Sequence, residues 1–285
     1  MKVLVTGGSG FIGWHVCREL SRRGDQAVPL DRVAGEGTSI LADVRDADAV
    51  HQAVFAADGV IHLAGVLGTQ ETVANPRPAF STNIDGSINV FEACTALRKP
   101  AVYIAVGNHW MNNPYSISKT AIERLAFMYN KERGARIAVV RGMNAYGPRQ
   151  KAGPVRKIIP TFILAALAGK PLLVYGDGEQ RMDMVYVADL AGILVDALVL
   201  NHGCYDSAFE AGTGIAPTVN QIAAAVIAAT GSKSQIEHSP MRPGEEDHST
   251  VVADFTTLAP LFRYTFSSLA VGLPPTVEWY KGLPH

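Results

Sequence analysis

Tyr115 and Lys119 stand four residues apart in a segment with helical patterning, so both side chains project from one helix face. A free phenol ionises at about pH 10. A neighbouring ammonium favours the phenolate and draws that value toward neutrality. Such a tyrosine can take the proton of a substrate hydroxyl while hydride leaves the same carbon. The pair alone also fits an ordinary surface Tyr–Lys contact, so its meaning depends on what surrounds it.

The start of the chain supplies a place for a hydride acceptor. An apolar strand, Val3–Thr6, runs into Gly7-Gly8-Ser9-Gly10-Phe11-Ile12-Gly13 and then into helical patterning. Gly7 permits the tight turn, Gly10 lets backbone approach a pyrophosphate, and Gly13 lets the helix pack close on the strand. The helix start, with Phe11 and Ile12, offers amide donors and positive dipole to the anion. Asp31 follows the second strand, where a carboxylate accepts from the adenosine ribose and repels a 2′-phosphate. NAD is therefore favoured. Arg32 beside it keeps NADP open as the lesser alternative.

The elements that must position these residues alternate. Short apolar runs at Val3–Thr6, Ala27–Leu30, Gly59–Ala64, Ala101–Val106 and Arg136–Val140 read as buried parallel strands. Between them lie helical patterns at Gly10–Arg23, Ala47–Ala56, Ala79–Arg98 and Tyr115–Arg133. This order predicts an α/β fold, a Rossmann-type doubly wound parallel sheet, with a smaller C-terminal lobe that binds substrate. Residues 1–147, with about 183–200, form the expected dinucleotide domain; 148–182 and 201–285 form the lobe. Thr218 and Gln221 make a capping box opening a helix that stops near Gly231. Pro240, Pro243, Pro260, Pro274 and Pro275 suggest short elements in the tail.

Composition narrows the classes. Lys plus Arg number 25 against 26 Asp plus Glu, so no net field draws nucleic acid or an anionic membrane. Cys17, Cys94 and Cys204 lack paired spacing and read as reduced thiols, which fits a cytoplasmic protein. The longest apolar stretch, from Ile158 to Ala168, is about half a membrane span. The eight histidines show no metal spacing.

Taken together, TGGSGFIG (6–13), ADVRD (42–46), VIHLAG (60–65), TNIDGSINVFEA (82–93), YSISK (115–119), RGMNAYGPRQ (141–150), VYGDGEQRMDMVYVADL (174–190) and RPGE (242–245) resemble the extended short-chain dehydrogenase/reductase family. The likeness is to its nucleotide-sugar epimerase and dehydratase branch, and it covers essentially the whole chain. It implies adenine contacts from Asp43 and Val44, a cofactor cleft lined by His62, Leu63, Ala64 and Gly65, and Asn83 near the active site. On the substrate it implies Thr69, Asn144 and Val174, with Arg181 and Arg242 on the diphosphate and Glu245 on the nucleoside ribose. His62, on a buried strand, also reads as a satisfied core histidine. The family likeness further implies a homodimer through a four-helix bundle of the helices around 79–98 and 115–133, where Phe91, Leu125, Phe127 and Met128 are apolar.

The departures from the family pattern bear on the reaction. The fourth strand usually ends in a Ser or Thr that binds the reacting hydroxyl; here that position falls on Gly107, and no hydroxyl side chain lies between Tyr103 and Tyr115. Asn108, His109, Thr69 or a water are the candidates to replace it. Asn108-His109 also stands where dehydratases carry an Asp–Glu pair. The resemblance thus implies a nucleotide-sugar epimerase acting at C4 through a transient 4-keto sugar, with NAD retained. A reductase or dehydratase of the same family, or a weakly catalytic NAD(P)-binding protein, remain the alternatives.

Overall fold

The computed structural model describes residues 1–200, 203–241, 248–261 and 264–283. The chain divides into two compact units, the first comprising Met1–Gly142, Leu190–Ala211 and Phe255–Tyr264. Its elements begin with β1 (Lys2–Thr6), α1 (Phe11–Arg22), β2 (Gln26–Asp31), β3 (Ile40–Leu41), α2 (Ala47–Phe55) and β4 (Gly59–His62). There follow α3 (Glu71–Ala74), α4 (Arg77–Phe80), a π-helical turn (Ser81–Asp85), α5 (Gly86–Ala96), β5 (Ala101–Val106), α6 (Pro114–Arg133) and β6 (Ile137–Gly142).

Seven strands form one parallel sheet, with β3, β2, β1, β4, β5 and β6 in spatial order and a last strand beyond β6. Parallel pairing brings the carboxyl ends of β1, β2, β4 and β5, at Thr6, Asp31, His62 and Val106, to one edge, where doubly wound sheets bind ligands. The strands are buried on both faces because helices cover both, as β1 and β4 show. Leu4, Val60, Phe91, Tyr103, Ile122 and Ile137 are among the fully buried residues of this core.

The second unit comprises Met143–Asp189, Gly212–Asp254 and Thr265–His285. It contains β7 (Asn144–Tyr146), α7 (Ile158–Leu167), β8 (Leu172–Tyr175), β9 (Arg181–Met182) and β10 (Met184–Tyr186). After α8 (Val187–Val199) and the seventh sheet strand β11 (Ala208–Ala211) come α9 (Val219–Thr230), β12 (Ile236–Ser239), β13 (Thr250–Val251) and α10 (Leu269–Lys281). Three short parallel pairs, β7–β10, β8–β12 and β9–β13, pack with α7, α9 and α10 around Phe162, Ile163, Leu172, Ile222, Val226 and Leu273.

Four local expectations change. The stretch 183–200 does not rejoin the first unit as a whole: its strand β10 pairs with β7 in the second, and the first unit resumes at Leu190. The stretch from 201, expected in the lobe, contributes β11 to the main sheet beside β6. The helix expected over 79–98 is broken into α4, the π-helical turn and α5. The proline-bearing tail holds a continuous helix, α10, through Pro274 and Pro275. The capping box at Thr218 and Gln221 forms as expected, with α9 ending on left-handed Gly231. Among the described residues, no helix is long and apolar enough to cross a membrane.

Candidate active site

The turn after β1 is drawn tight by backbone bonds: Gly7 N donates to Leu30 O at 2.8 Å and Gly10 N to Gly7 O at 3.0 Å. Gly7 takes φ +70°, a conformation that disfavours a side chain. A Cβ at Gly13 would fall 2.2 Å from Gly7 O, so only glycine lets α1 sit this close. Gly10 caps α1 without a side-chain hydrogen bond, and the first turn carries no acidic residue. The leading amides at Phe11 and Ile12 are thus left for an anion.

Asp31 ends β2, and its carboxylate accepts from Ser9 N at 3.2 Å and Val33 N at 3.3 Å, which fixes it beside the glycine turn. Arg32 is exposed. The adenine-side residues are more committed than the sequence implies. Arg45 grips Asp43 through Nη2 at 2.6 Å and Nε at 3.0 Å, holding its carboxyl down at about 2. Val44 is buried, and its carbonyl accepts from Asn89 at 3.0 Å.

Beyond β4 the cleft-lining loop hangs on a proton chain whose direction follows from counting donors. Thr6 Oγ1 accepts from Leu63 N at 3.2 Å and Ala64 N at 3.3 Å. Its single hydrogen therefore goes to His62 Nδ1, 2.6 Å away. That assigns the imidazole proton to Nε2, which donates to Ser87 Oγ at 2.8 Å; Ser87 in turn donates to Asn83 O at 2.5 Å. Burial pushes His62 down to about 3. His62 is a neutral core histidine with both nitrogens satisfied.

Asn83 lies in the π-helical turn, nearly sealed from solvent. Its Oδ1 accepts from Val66 N at 2.7 Å, and its Nδ2 donates to Val66 O at 3.1 Å and Ser118 Oγ at 2.9 Å. Ser118 donates to Tyr115 O at 2.8 Å. Asn83, which the family resemblance places near the active site and on the cofactor, spends its amide tying the loop after Gly65 to the helix that bears the tyrosine. Sequence reasoning missed Thr6, Ser87 and Ser118. Their only signal was a hydroxyl residue inside an apolar strand or helix.

Helix α6 starts at Asn113, whose side chain accepts from Ser116 N at 2.9 Å, followed by Pro114 at the first helical position. This start places Tyr115 and Lys119 on its first two turns. Lys119 is 5% exposed, and no carboxylate among the described residues pairs with it. Its Nζ stands 4.1 Å above the ring of Tyr103. The mutual attraction expected from the sequence does not set the ionisation of the pair. Burial pushes Tyr115 up to about 12 and Lys119 down to about 7, because removing water penalises both charged forms.

Seven residues, Gly107–Asn113, join β5 to α6. Gly107 N donates to Gly142 O at 3.2 Å and has no side chain to offer. Asn108 Nδ2 donates to Met111 Sδ at 3.2 Å, and Thr120 Oγ1 donates to His109 O at 3.2 Å, which pins the loop along α6. His109 Nδ1 is buried with no hydrogen-bond partner. Among the candidates to replace the absent hydroxyl (Asn108, His109, Thr69 or a water), His109 thus holds a buried ring nitrogen with no protein partner.

The remaining candidates separate. Thr69 is partly buried in the first unit, on the loop before α3. In the second unit Asn144 donates from Nδ2 to Asp183 O at 3.2 Å, and exposed Arg181 donates to Ala216 O at 3.3 Å. Val174 is 1% exposed, because alternate residues of β8 face the core of the second unit. Arg242 and Glu245 lie outside the described residues. Sequence reading also passed over Asp183, fully buried. Its Oδ1 accepts from Thr213 N at 2.9 Å and Thr213 Oγ1 at 2.7 Å; its Oδ2 accepts from Gly214 N at 2.9 Å and Ala253 N at 3.2 Å.

These residues fit a dinucleotide. An uncapped helix start follows a turn that only glycine can make, a fixed carboxylate ends β2, and the buried Lys119 ammonium has no carboxylate partner among the described residues. The comparisons with known proteins agree. The chain is 29% identical over 327 aligned positions to the UDP-N-acetyl-alpha-D-glucosaminuronate decarboxylase of Bacillus cytotoxicus, covering 100% of this chain and 99% of that one. It is 27% identical over 315 positions to the UDP-glucose 4-epimerase of Mycolicibacterium smegmatis, covering 99% of each. The solved UDP-glucose 4-epimerase of Thermus thermophilus, a complex with NAD, superposes with a TM-score of 0.86 at 28% identity over 99% of both chains. A family model matches residues 3–204, and the chain belongs to the NAD dependent epimerase/dehydratase family.

Proposed function

We propose that this family member, whose cofactor is NAD, is a nucleotide-sugar epimerase that inverts C4 through a transient 4-keto sugar. The observation that carries the reading is the composition of the catalytic edge. Tyr115 and Lys119 share the first turns of α6, while the loop Gly107–Asn113 holds no carboxylate. Elimination of water needs an acid and a base at the sugar's C5 and C6, and this loop carries no such pair. Reversible proton transfer at one hydroxyl needs only the tyrosine.

NAD, when bound, supplies the hydride acceptor and donor, and its oxidised ring adds positive charge to the site. Tyr115 takes the C4 hydroxyl proton at its phenol oxygen and returns it after the sugar has turned. Lys119 favours the phenolate and holds the ribose through its ammonium hydrogens. Asp31 orients the adenosine ribose. Arg181, together with Arg242 and Glu245, supplies the diphosphate and nucleoside contacts. His109 is the candidate to orient the hydroxyl in place of the missing Ser or Thr. Exposed Ile117 and Met128 on α6, and the groove lined by Phe80 and Ile84, support a homodimer through this helical face. Phe91, by contrast, is buried in the core.

The protein as purified, incubated with UDP-, dTDP- and GDP-hexoses without added cofactor, should convert one of them to its C4 epimer by NMR. No conversion of any sugar, despite bound NAD, would overturn the reading and point to Gly107 as the mark of a weakly catalytic binder.

A further inference from the structure

Tyr103 occupies the third position of β5 and is fully buried, with Phe91 edge-on at 5.7 Å and His62 tilted at 5.9 Å. A phenylalanine would fill this apolar site without a hydroxyl to satisfy. The tyrosine satisfies its own by donating to Lys119 O at 3.1 Å, a carbonyl already inside a helix. The same ring lies 4.1 Å beneath the Lys119 ammonium. One side chain therefore grips Lys119 twice, at its backbone and at its charge.

Electrostatics explain why a ring serves here better than a carboxylate. A carboxylate would neutralise the ammonium and occupy its hydrogens. The face of an aromatic ring attracts the cation while leaving those hydrogens free for a ligand. The charged and titratable groups around the contact are consistent with this. His62 on β4 is neutral, Tyr115 lies on α6, and Glu123, one turn beyond Lys119, is taken at both oxygens by Arg141 of β6.

We propose that Tyr103 is a positioning residue for Lys119, its ring face seating the ammonium and its hydroxyl locking that ring to α6. This deepens the proposed epimerase reading, but its test needs no substrate. Phenylalanine and then 4-fluoro-, 3,5-difluoro- and 3,4,5-trifluorophenylalanine are placed at position 103, which drains the ring face of negative potential while leaving its size nearly unchanged. The titration of Lys119 is followed through its 13Cε resonance, assigned by its loss in Lys119→Met, and thermal unfolding confirms that each variant is folded.

The expected result is a stepwise fall of the lysine midpoint along the series, by about one unit in all, as the ammonium loses its seat. A midpoint unchanged across folded variants would overturn the proposal and reduce Tyr103 to a core residue. Should Tyr103→Phe fail to fold, 3-fluorotyrosine at the same position keeps the hydroxyl bond and reads the same fall or its absence.

Discussion

Arg141 on β6 takes both carboxylate oxygens of Glu123, at 2.5 Å and 3.0 Å, and also reaches Glu210 at 3.0 Å. Glu123 stands one turn beyond Lys119 on the same helix and is 3% exposed. The bidentate grip commits both oxygens of the Glu123 carboxylate to Arg141. It also ties α6 to the sheet just where that helix carries its reactive residues.

Arg141→Met should therefore cost about 3 kcal/mol in a urea melt, since it strands a buried charge. The freed carboxylate should turn toward Lys119 and raise that lysine's titration midpoint. A stability loss with the lysine midpoint unmoved would show that Glu123 never competes for it.

The buried lysine makes stability depend on pH in a definite direction. Its folded midpoint, about 7, lies below the unfolded value of about 10.4, so the unfolded chain binds more protons between them. Stability contributed by this group is lowest below pH 7 and recovers as pH rises toward 10.4. Compared with Lys119→Met, the wild type should gain about 1 kcal/mol per pH unit between pH 7.5 and 9.5 in urea melts. Parallel curves for the two proteins would rule out a depressed lysine.

Tyr115→Phe should lower turnover by about 10³-fold, because the proton loses its acceptor. NAD should still co-purify, since the glycine turn and Asp31 are untouched. Retention of more than a tenth of wild-type turnover would remove Tyr115 from the chemistry.

Gly13→Ala should abolish retained NAD, measured by absorbance of the protein after gel filtration. The added Cβ meets Gly7 O at 2.2 Å and Gly8 Cα at 2.7 Å, both backbone atoms of the turn rather than the end of a flexible side chain.

Asn83→Ala removes an acceptor and two donor bonds from a site 1% exposed. It should cost about 3 kcal/mol of stability and increase hydrogen exchange at Val66. Unchanged exchange at that amide would show that the loop after β4 is held by other means.

The amino-acid sequence determined, by itself, the features that depend on neighbours along the chain. The strand, glycine turn and helix at 3–22 follow from local steric rules, as do the Asn113-Pro114 start of α6 and the capping box at Thr218. The i, i+4 spacing of Tyr115 and Lys119 needs only helical periodicity. These parts of the site were legible because each rests on interactions spanning a few residues.

Tertiary structure alone decided the rest, because the deciding partners are far apart in sequence. β11 is four residues with no long apolar run, and it is a sheet strand only because β6 lies open beside it. Val174 faces the core of its unit because β8 pairs with β12 and presents alternate residues inward. The π-helical turn aims Asn83 at Val66 and Ser118, and the fold brings Tyr103 under Lys119, sixteen residues away. The ionisation of the pair itself was reversed by burial: spacing predicts attraction between an ammonium and a phenolate, but desolvation, a property of the packed site, outweighs it in the chain's own groups.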